Sequence, residues 1–432
     1  MAKEPKKELK SVKGMRDIQG EQYYALQGFF EKAQEICEYY GLQPIETPTL
    51  EQEEVFLRGI GENTDIADKE LYSLKTKGKD KLAMRPETTA GIMRAYIEHG
   101  MHTQPQPVKF YTYGPVYRHD KPQRGRYRQF WQFGVEIMGS SKAVSDALAI
   151  HLAYLILKEA GIKDITLKIN SLGDSDSRQD YVKNLTAYYR KHINKMGATD
   201  RQRLKTNPLR ILDSKDEKTI EINAEAPQSI SSLNTASKKH FKEVLEYLDE
   251  LGIEYDIDHK LVRGLDYYSH TVFEFFTTPE KNEDGEELKP LALGGGGRYD
   301  YLAKLLGGKK DIPSVGFAFG VDRIIEATPK EITPKVKKKP KVYFIQLGQE
   351  AKLKSLSIIE ELRKAKISVA HSLSKDALGQ QLAIAEKMGV GQVLIFGQKE
   401  ALEGSVIVRD MKTRSQKTVK IEKVTEYIKK KK

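Results

Sequence analysis

Two aromatic-rich runs, Lys109–Arg118 (KFYTYGPVYR) and Arg128–Gly139 (RQFWQFGVEIMG), constrain this chain more than any other feature. Bulky and β-branched residues at this density favour extended backbone packed into a sheet. The intervening His119–Tyr127 is polar and holds a proline and a glycine, so the runs read as two strands of one hairpin. Side chains alternate across a strand. Trp131, Phe133, Val135 and Ile137 therefore share one face, and Phe130, Gln132, Gly134, Glu136 and Met138 share the other. The first is an ordinary core face. The second sets an amide and a carboxylate around a glycine, which suits either an exposed sheet face or a surface that a ligand approaches closely. In the second case Glu136 needs a partner, because an unpaired buried charge is costly.

Cations crowd the hairpin loop. Arg118 and Arg128 stand at its base, with Lys121, Arg124 and Arg126 inside it. Five positive charges around one turn repel each other unless water or an anion separates them. Arginine forks match phosphate oxygens bidentately. An ATP phosphate chain, a nucleic-acid end or simple solvation would each satisfy them.

Around the hairpin, Glu21–Tyr40 has helical spacing and stops at Gly41, and Ala143–Glu159 reads as a buried helix ending before Gly161. Further strands are expected near Ile165–Asn170, His270–Phe276 and Leu291–Gly294. Their unequal connections suggest a largely antiparallel sheet with helices, an α+β core. The glycine run in Leu293–Gly297 reads as a turn or a substrate loop. Residues 170–255 are polar and helix-rich and read as an insertion between two parts of the core, 1–169 and 256–328. Residues 329–340 (PKEITPKVKKKP) form a Pro/Lys linker. Residues 341–432 alternate strand and helix as βαβαβ, which predicts a separate α/β domain with a parallel sheet.

Composition narrows the class. The 432 residues allow two to four domains. With 39% hydrophobic and 31% charged residues and a mean hydropathy of −0.56, the chain is neither disordered nor membrane-embedded. Its longest apolar stretch, Ala147–Leu157, is too short to span a bilayer. The net charge of +11 is unevenly placed: Lys335–Lys432 holds 23 basic and 10 acidic residues, or +13, which leaves the other 334 residues at −2. An acidic partner such as nucleic acid, or a merely solvated Lys-rich tail, would account for it. The sole cysteine, Cys37, excludes an internal disulfide and a Cys-based zinc site and reads as an inert core thiol. That cysteine usage and the polar MAKEPKKELK start, which has no secretory apolar core, lead us to expect a cytoplasmic protein.

Residues 117–139 (YRHDKPQRGRYRQFWQFGVEIMG) closely resemble motif 2 of the class II aminoacyl-tRNA synthetases, in the form found in bacterial-type histidyl-tRNA synthetases. Leu261–Phe275 (LVRGLDYYSHTVFEF) resembles the first histidine-specific motif of that family, and Leu293–Leu302 (LGGGGRYDYL) the second. Val315–Ile324 (VGFAFGVDRI) resembles motif 3, Met84–Gly91 (MRPETTAG) the substrate loop, and ETPTLE around Pro48 motif 1. KGMRDI, Lys13–Ile18, resembles the usual start. The likeness covers nearly the whole chain in the family's order. Departures are modest: Trp131 stands where His is common, Asp322 where Glu is common, and Thr88 at a variable position often held by Gly.

The resemblance implies a class II antiparallel sheet flanked by helices, a helical insertion and a C-terminal anticodon-binding domain. It implies activation of histidine by ATP to histidyl-adenylate and pyrophosphate, then transfer of histidine to the 3′ end of histidine tRNA. Arg118 and Arg263 would be catalytic. Arg118, Arg126, Arg128, Phe130 and Arg323 would bind ATP, with adenine stacked between Phe130 and Arg323. Glu87, Thr88, Thr89, Gln132, Glu136, Tyr267, Tyr268 and Tyr299 would bind histidine together with Arg118 and Arg263, and Gly134 would leave room for its ring. Gln123 and Arg124 would meet the tRNA acceptor end. Mg²⁺ would accompany ATP with no dedicated protein metal site. The resemblance further implies a homodimer joined through the catalytic domain and no membrane partner. Non-catalytic relatives that regulate histidine biosynthesis keep the fold but lose the tRNA-binding domain and the histidine motifs, whereas Arg263, Tyr268, Arg323 and a full C-terminal domain remain in this chain.

Overall fold

The two aromatic runs pair in register as an antiparallel hairpin, Val108–Tyr117 against Gln129–Met138, in a computed structural model that describes residues 8–61, 64–121, 125–278, 290–328, 332–372 and 374–430. The hairpin lies inside an eight-stranded sheet. Its strands in chain order are β1 (Gln43–Pro44), β2 (Val108–Tyr117), β3 (Gln129–Met138), β4 (Ile165–Ser171), β5 (Asp256–Ile257), β6 (Ser269–Thr277), β7 (Ala292–Arg298) and β8 (Ser314–Gly320). Their spatial order is β1-β2-β3-β8-β7-β6-β4-β5. All pairs are antiparallel except the two at the edges, β1 with β2 and β4 with β5.

Helices Glu21–Tyr39, Ala143–Glu159 and Thr235–Glu250 contribute Phe29, Ile150, Leu157, Val244 and Leu248 to a core shared with Phe133, Val135, Phe273, Phe275 and Phe317 of the sheet. Cys37 lies in this core, and burial pushes its thiol pKa up to about 12, so it is protonated and inert at neutral pH. The opposite sheet face is covered as well. Helix Thr89–Glu98 brings Ile92, Met93 and Tyr96 into a second cluster with Met138, Val272, Tyr267, Tyr268 and Tyr299. The Gln132/Glu136 face of β3 is therefore buried rather than exposed.

The strand expected near Leu291–Gly294 is present but runs further, through the glycines that read as a turn or a substrate loop. The glycine run is neither turn nor loop but β7 itself, paired on both sides. A Cβ on Gly295 would sit 2.3 Å from the Phe273 carbonyl oxygen and 3.1 Å from Nη1 of Arg263. Only glycine permits that approach.

Within residues 170–255, helices Ser175–His192, Ala198–Thr206 and Glu217–Ala224 enclose a small core of Tyr181, Leu185, Tyr189, Leu204, Ile211 and Ile222. Side chains of Asp174, Asp216 and Asn234 accept the backbone amides of Ser177, Thr219 and Ser237, capping helices that their polar sequences alone support weakly.

The chain divides into two compact units, Met1–Pro334 and Lys335–Lys432. The second holds β9 (Val342–Gln346), β10 (Val369–His371), β11 (Gln392–Phe396), β12 (Ser405–Asp410) and β13 (Gln416–Lys420) in the order β10-β9-β11-β12-β13. β9, β10 and β11 are parallel, and Phe344, Leu394, Phe396, Ile358 and Val424 pack beside them. The antiparallel pair β12–β13 is additional to the expected βαβαβ pattern. β13 buries only Val419 of its five residues, so it carries no apolar alternation to announce it. Among the described residues no helix is long and apolar enough to cross a membrane.

Candidate active site

A cleft of about 1080 Å³ opens on the Gln132 side of the sheet. Its floor is β3, β6, β7 and β8, represented by Gln132, Glu274, Gly295 and Phe317. One wall is the 263–268 loop, and another comes from Asp200, Arg210 and Asp213 of the insertion. This volume exceeds that of an ordinary single small-molecule site.

Part of the cleft is built on two buried carboxylates. Glu136 Oε1 accepts from Thr89 Oγ1 at 2.6 Å, and Glu136 Oε2 accepts a very short hydrogen bond from the Tyr299 hydroxyl. Burial drives its pKa up to about 8, against the opposing pull of Thr89 and Tyr299. A Cβ on Gly316 would lie 1.8 Å from Glu136 Oε2, so the neighbouring strand is bare where this carboxylate sits. Glu87 lies at the start of helix Thr89–Glu98 and accepts the backbone amides of Thr89 at 2.5 Å and Ala90 at 3.0 Å. The helix N-terminus favours its anion, but burial outweighs this and raises its pKa.

Arginines stand close to these carboxylates. Arg118 follows β2, and its Nε donates to the Pro86 carbonyl at 2.8 Å, tying the basic loop to the segment that bears Glu87. Its guanidinium lies 5.5 Å from the centroid of the Phe130 ring. Burial pulls its pKa below the ordinary arginine value, opposed by Glu70 and Glu87. Arg263 pairs through Nη1 with Glu274 Oε1 at 2.8 Å. Burial works against its charge, and Glu274 more than offsets that, so its pKa is raised. Nε of Arg263 and Oε1 of Gln132 are buried and have no hydrogen-bond partner among the described residues. Buried polar atoms are normally hydrogen-bonded, so these two are open to a ligand or water that enters the cleft.

Of the residues expected from sequence, Glu87, Thr89, Arg118, Arg126, Phe130, Gln132, Arg263, Tyr267, Tyr268, Tyr299 and Arg323 line this one cleft. Glu136 reaches it through Thr89 and Tyr299. Arg126 is paired with Asp120 at 3.0 Å, and Arg323 donates to the carbonyls of Gly125 and Ala292 at 3.0 Å each. Three expectations come out differently. Arg128 does not line the cleft; it donates to the carbonyls of Asp120 and Lys13. It precedes the first residue of β3, so strand alternation does not carry to it. Thr88 does not line the cleft; it is buried on the Gln132 side of the sheet, its Oγ1 3.6 Å from the Cβ position of Gly134, with Thr112 Cγ2 at the same distance. Gly134 thus allows close packing under the Phe317 carbonyl rather than a space for a ring. Gln123 and Arg124 lie outside the described residues.

Sequence reasoning missed Glu274, Glu70 and Asp322. Glu274 had a signal: on β6 it sits opposite the core face of Phe273 and Phe275. Asp322 accepts a very short hydrogen bond from Arg16 and accepts the Trp131 amide at 2.8 Å, binding the N-terminal segment, β3 and the helix of Arg323 together.

A largely antiparallel sheet whose arginine-lined cleft is assembled from these motif segments defines the catalytic unit of a class II aminoacyl-tRNA synthetase. Residues 14–324 match the family described as Histidyl-tRNA synthetase, and residues 341–431 match the Anticodon binding domain family. The chain is 39% identical to the histidine–tRNA ligase of Caldicellulosiruptor saccharolyticus over 98% of its own length and 99% of the relative's. It is 41% identical to that of Thermosipho melanesiensis over 94% and 95%. It superposes on apo Staphylococcus aureus histidyl-tRNA synthetase with a TM-score of 0.79 at 30% identity, covering 98% of this chain and 100% of that one. The chain belongs to the histidyl-tRNA synthetase family.

Proposed function

We propose that the chain is a histidine–tRNA ligase that works in two steps. First, the carboxylate of histidine attacks the α-phosphorus of ATP. A bond from that oxygen to phosphorus forms, the bond to the bridging oxygen breaks, and pyrophosphate leaves. Second, a ribose hydroxyl of the terminal adenosine of histidine tRNA attacks the histidyl carbonyl, and AMP leaves.

The observation that carries this reading is one cleft that gathers the buried carboxylates Glu87 and Glu136 with Arg118, Arg263 and Arg323. In-line phosphoryl transfer needs positioning and charge stabilisation more than covalent chemistry. Arg118 holds the α-phosphate and the attacking carboxylate from one side, and Arg263 meets the same phosphate from the other. Arg126 and Arg323 hold the outer phosphates, and Phe130 stacks on adenine. Glu87 takes the α-ammonium with Thr89 and Gln132, while Glu136 and Tyr268 take the imidazole nitrogens. Buried polar partners of this kind reject amino acids that lack the matching groups by about 10⁴–10⁵.

Mg²⁺ would accompany ATP and screen its phosphate charge alongside Arg126 and Arg323. Among the described residues no three or more His, Cys, Asp or Glu gather as a metal cage. The arginine-lined cleft fits an ion that arrives already chelated. The +13 segment Lys335–Lys432 meets the anticodon stem of the tRNA, and the reaction takes place in the cytoplasm.

The test is ATP–pyrophosphate exchange. Exchange should require histidine, and aminoacylation of histidine tRNA should follow, with the tRNA step weakened by added salt far more than exchange is. Exchange supported by a different amino acid and not by histidine would overturn the substrate assignment. Fold without exchange or aminoacylation would instead mark a regulatory relative.

The enzyme also works as a homodimer joined through the catalytic unit. The small sheet Leu50–Gln52, Lys81–Met84, Ser73–Lys75 carries the ETPTLE segment. Its register sets Leu50, Met84, Leu82 and Leu74 on one face, with Leu50 47% and Leu74 46% exposed. Such a face suits an identical partner. Sedimentation equilibrium should give near twice the 49.1 kDa chain mass, and Leu50→Glu should shift it to the monomer. A monomeric parent would remove this part of the reading.

A further inference from the structure

The loop that bears Arg263 is held from outside the sheet. Asn207 and Arg210 stand on the insertion turn around Pro208–Ile211. Arg210 Nη1 donates to the carbonyl of Gly264, the residue next to Arg263, at 3.1 Å. Arg210 Nη2 donates to Asp65 Oδ2 at 2.7 Å, and Arg203 reaches the same oxygen at 3.4 Å. Asn207 Nδ2 donates to Asp266 Oδ1 at 2.6 Å. From the far side, the Asp266 amide donates to the Ile60 carbonyl at 3.0 Å. Arg178 Nη2 donates to the Asp266 carbonyl at 3.3 Å, so three segments distant in sequence converge on Gly264–Asp266. Arg210 borders the cleft, yet its two terminal nitrogens are spent on Gly264 and Asp65.

We infer that Arg210, with Asn207 and Asp65, positions Arg263, so that the insertion acts on amino-acid activation itself and not on tRNA alone. This rests on the role of Arg263 given above. The physical reason is the tolerance of phosphoryl transfer: a misplacement of about 1 Å can cost on the order of 10²-fold in rate. Glu274 fixes the tip of the Arg263 side chain at 2.8 Å. The backbone that carries it has no sheet partner of its own at Gly264, and Arg210 supplies one.

The experiment uses the full chain and needs no tRNA. Histidine-dependent exchange is measured for the parent, R210A, R210K, R263A and the R210A/R263A double variant. R210A should lower kcat about tenfold, with the KM values for histidine and ATP within about twofold of the parent. R210K keeps the charge beside Asp65 and should recover part of the loss. In the R263A background, R210A should change the rate by less than about twofold, because a residue that acts through Arg263 has nothing left to position. A merely structural role would instead reduce both backgrounds alike. The inference is overturned by near-parental kcat in R210A, by a change in KM alone, or by equal losses in both backgrounds. If R210A fails to fold, R210K carries the same comparisons. A parent without histidine-dependent exchange would overturn the proposed function and this inference with it, whereas an active parent with an indifferent R210A overturns this inference only.

Discussion

Replacing Arg263 with alanine is expected to slow histidine-dependent exchange by roughly 10²–10³, about 2.7–4 kcal/mol of lost transition-state stabilisation. The size follows from how Arg263 is held. Its guanidinium is fixed by Glu274 at 2.8 Å and lies beside the bare backbone of Gly295, so in the proposed role it would meet the developing phosphate charge without reorganising. An interaction made more strongly in the transition state than in the ground state lowers kcat more than it raises KM. Glu274 adds a second effect. Without Arg263 it becomes an uncompensated anion facing the phosphates, so KM for ATP should also rise, and R263A/E274Q should recover that part alone. Thermal stability should stay near the parent's. A variant with parental kcat and a raised KM would reassign Arg263 to substrate binding.

The largest expected effect on stability lies on Arg298, which ends β7. Arg298 and Asp146 are buried to 1% and 0% exposure. Arg298 Nε donates to both Asp146 oxygens at 3.2 and 3.1 Å, Nη2 makes a very short bond to the same carboxylate, and Nη1 reaches the Ser140 carbonyl at 2.8 Å and Asp300 at 3.2 Å. Burial tends to raise the Asp146 pKa, but Arg298 and His240 reverse this and hold it well below the carboxylate range. A depressed carboxylate contributes stability that is fully present above its unfolded pKa and is lost only in strong acid. Arg298→Met should therefore cost about 3–5 kcal/mol at neutral pH, because it strands a buried charge rather than merely deleting a contact. Adding Asp146→Asn should restore much of the loss. Thermal denaturation of the three variants checks it. A single variant as stable as the parent would mean that water reaches Asp146.

The hairpin and its faces were legible because alternation survives in a strand full of large side chains. Ala143–Glu159 was legible to the residue because its apolar run ends at a helix-stopping glycine. The glycine run was not. Four residues without side chains carry no alternation, and local propensity reads them as a turn, whereas pairing to β6 and β8 overrides it. Placement in the cleft was legible where residue type and motif coincide, as for Glu87, Gln132 and Arg118. The site was illegible where chemistry depends on a partner brought in by the fold. Nothing in HTVFEFF says that its single acid will meet Arg263, and nothing in NPLR says that Arg210 will grip Gly264. Arg128 shows the converse error: its type and place suited a phosphate, but it falls one residue short of the strand that would have aimed it.

The glycines of β7 also decide where this cleft could be redesigned. A floor made of peptide groups presents the same surface to every amino acid, so it cannot be tuned to prefer one. Any side chain added at Gly295 would collide with the Phe273 carbonyl oxygen and the Glu274 backbone before it touched a ligand. New substrate preference must therefore come from Thr89, Gln132 and Tyr268, which rise around the floor. Tyr268 is also hydrogen-bonded to Arg263, so a change there would reach the proposed activating arginine, whereas Thr89 and Gln132 offer places to alter amino-acid choice with less effect on it.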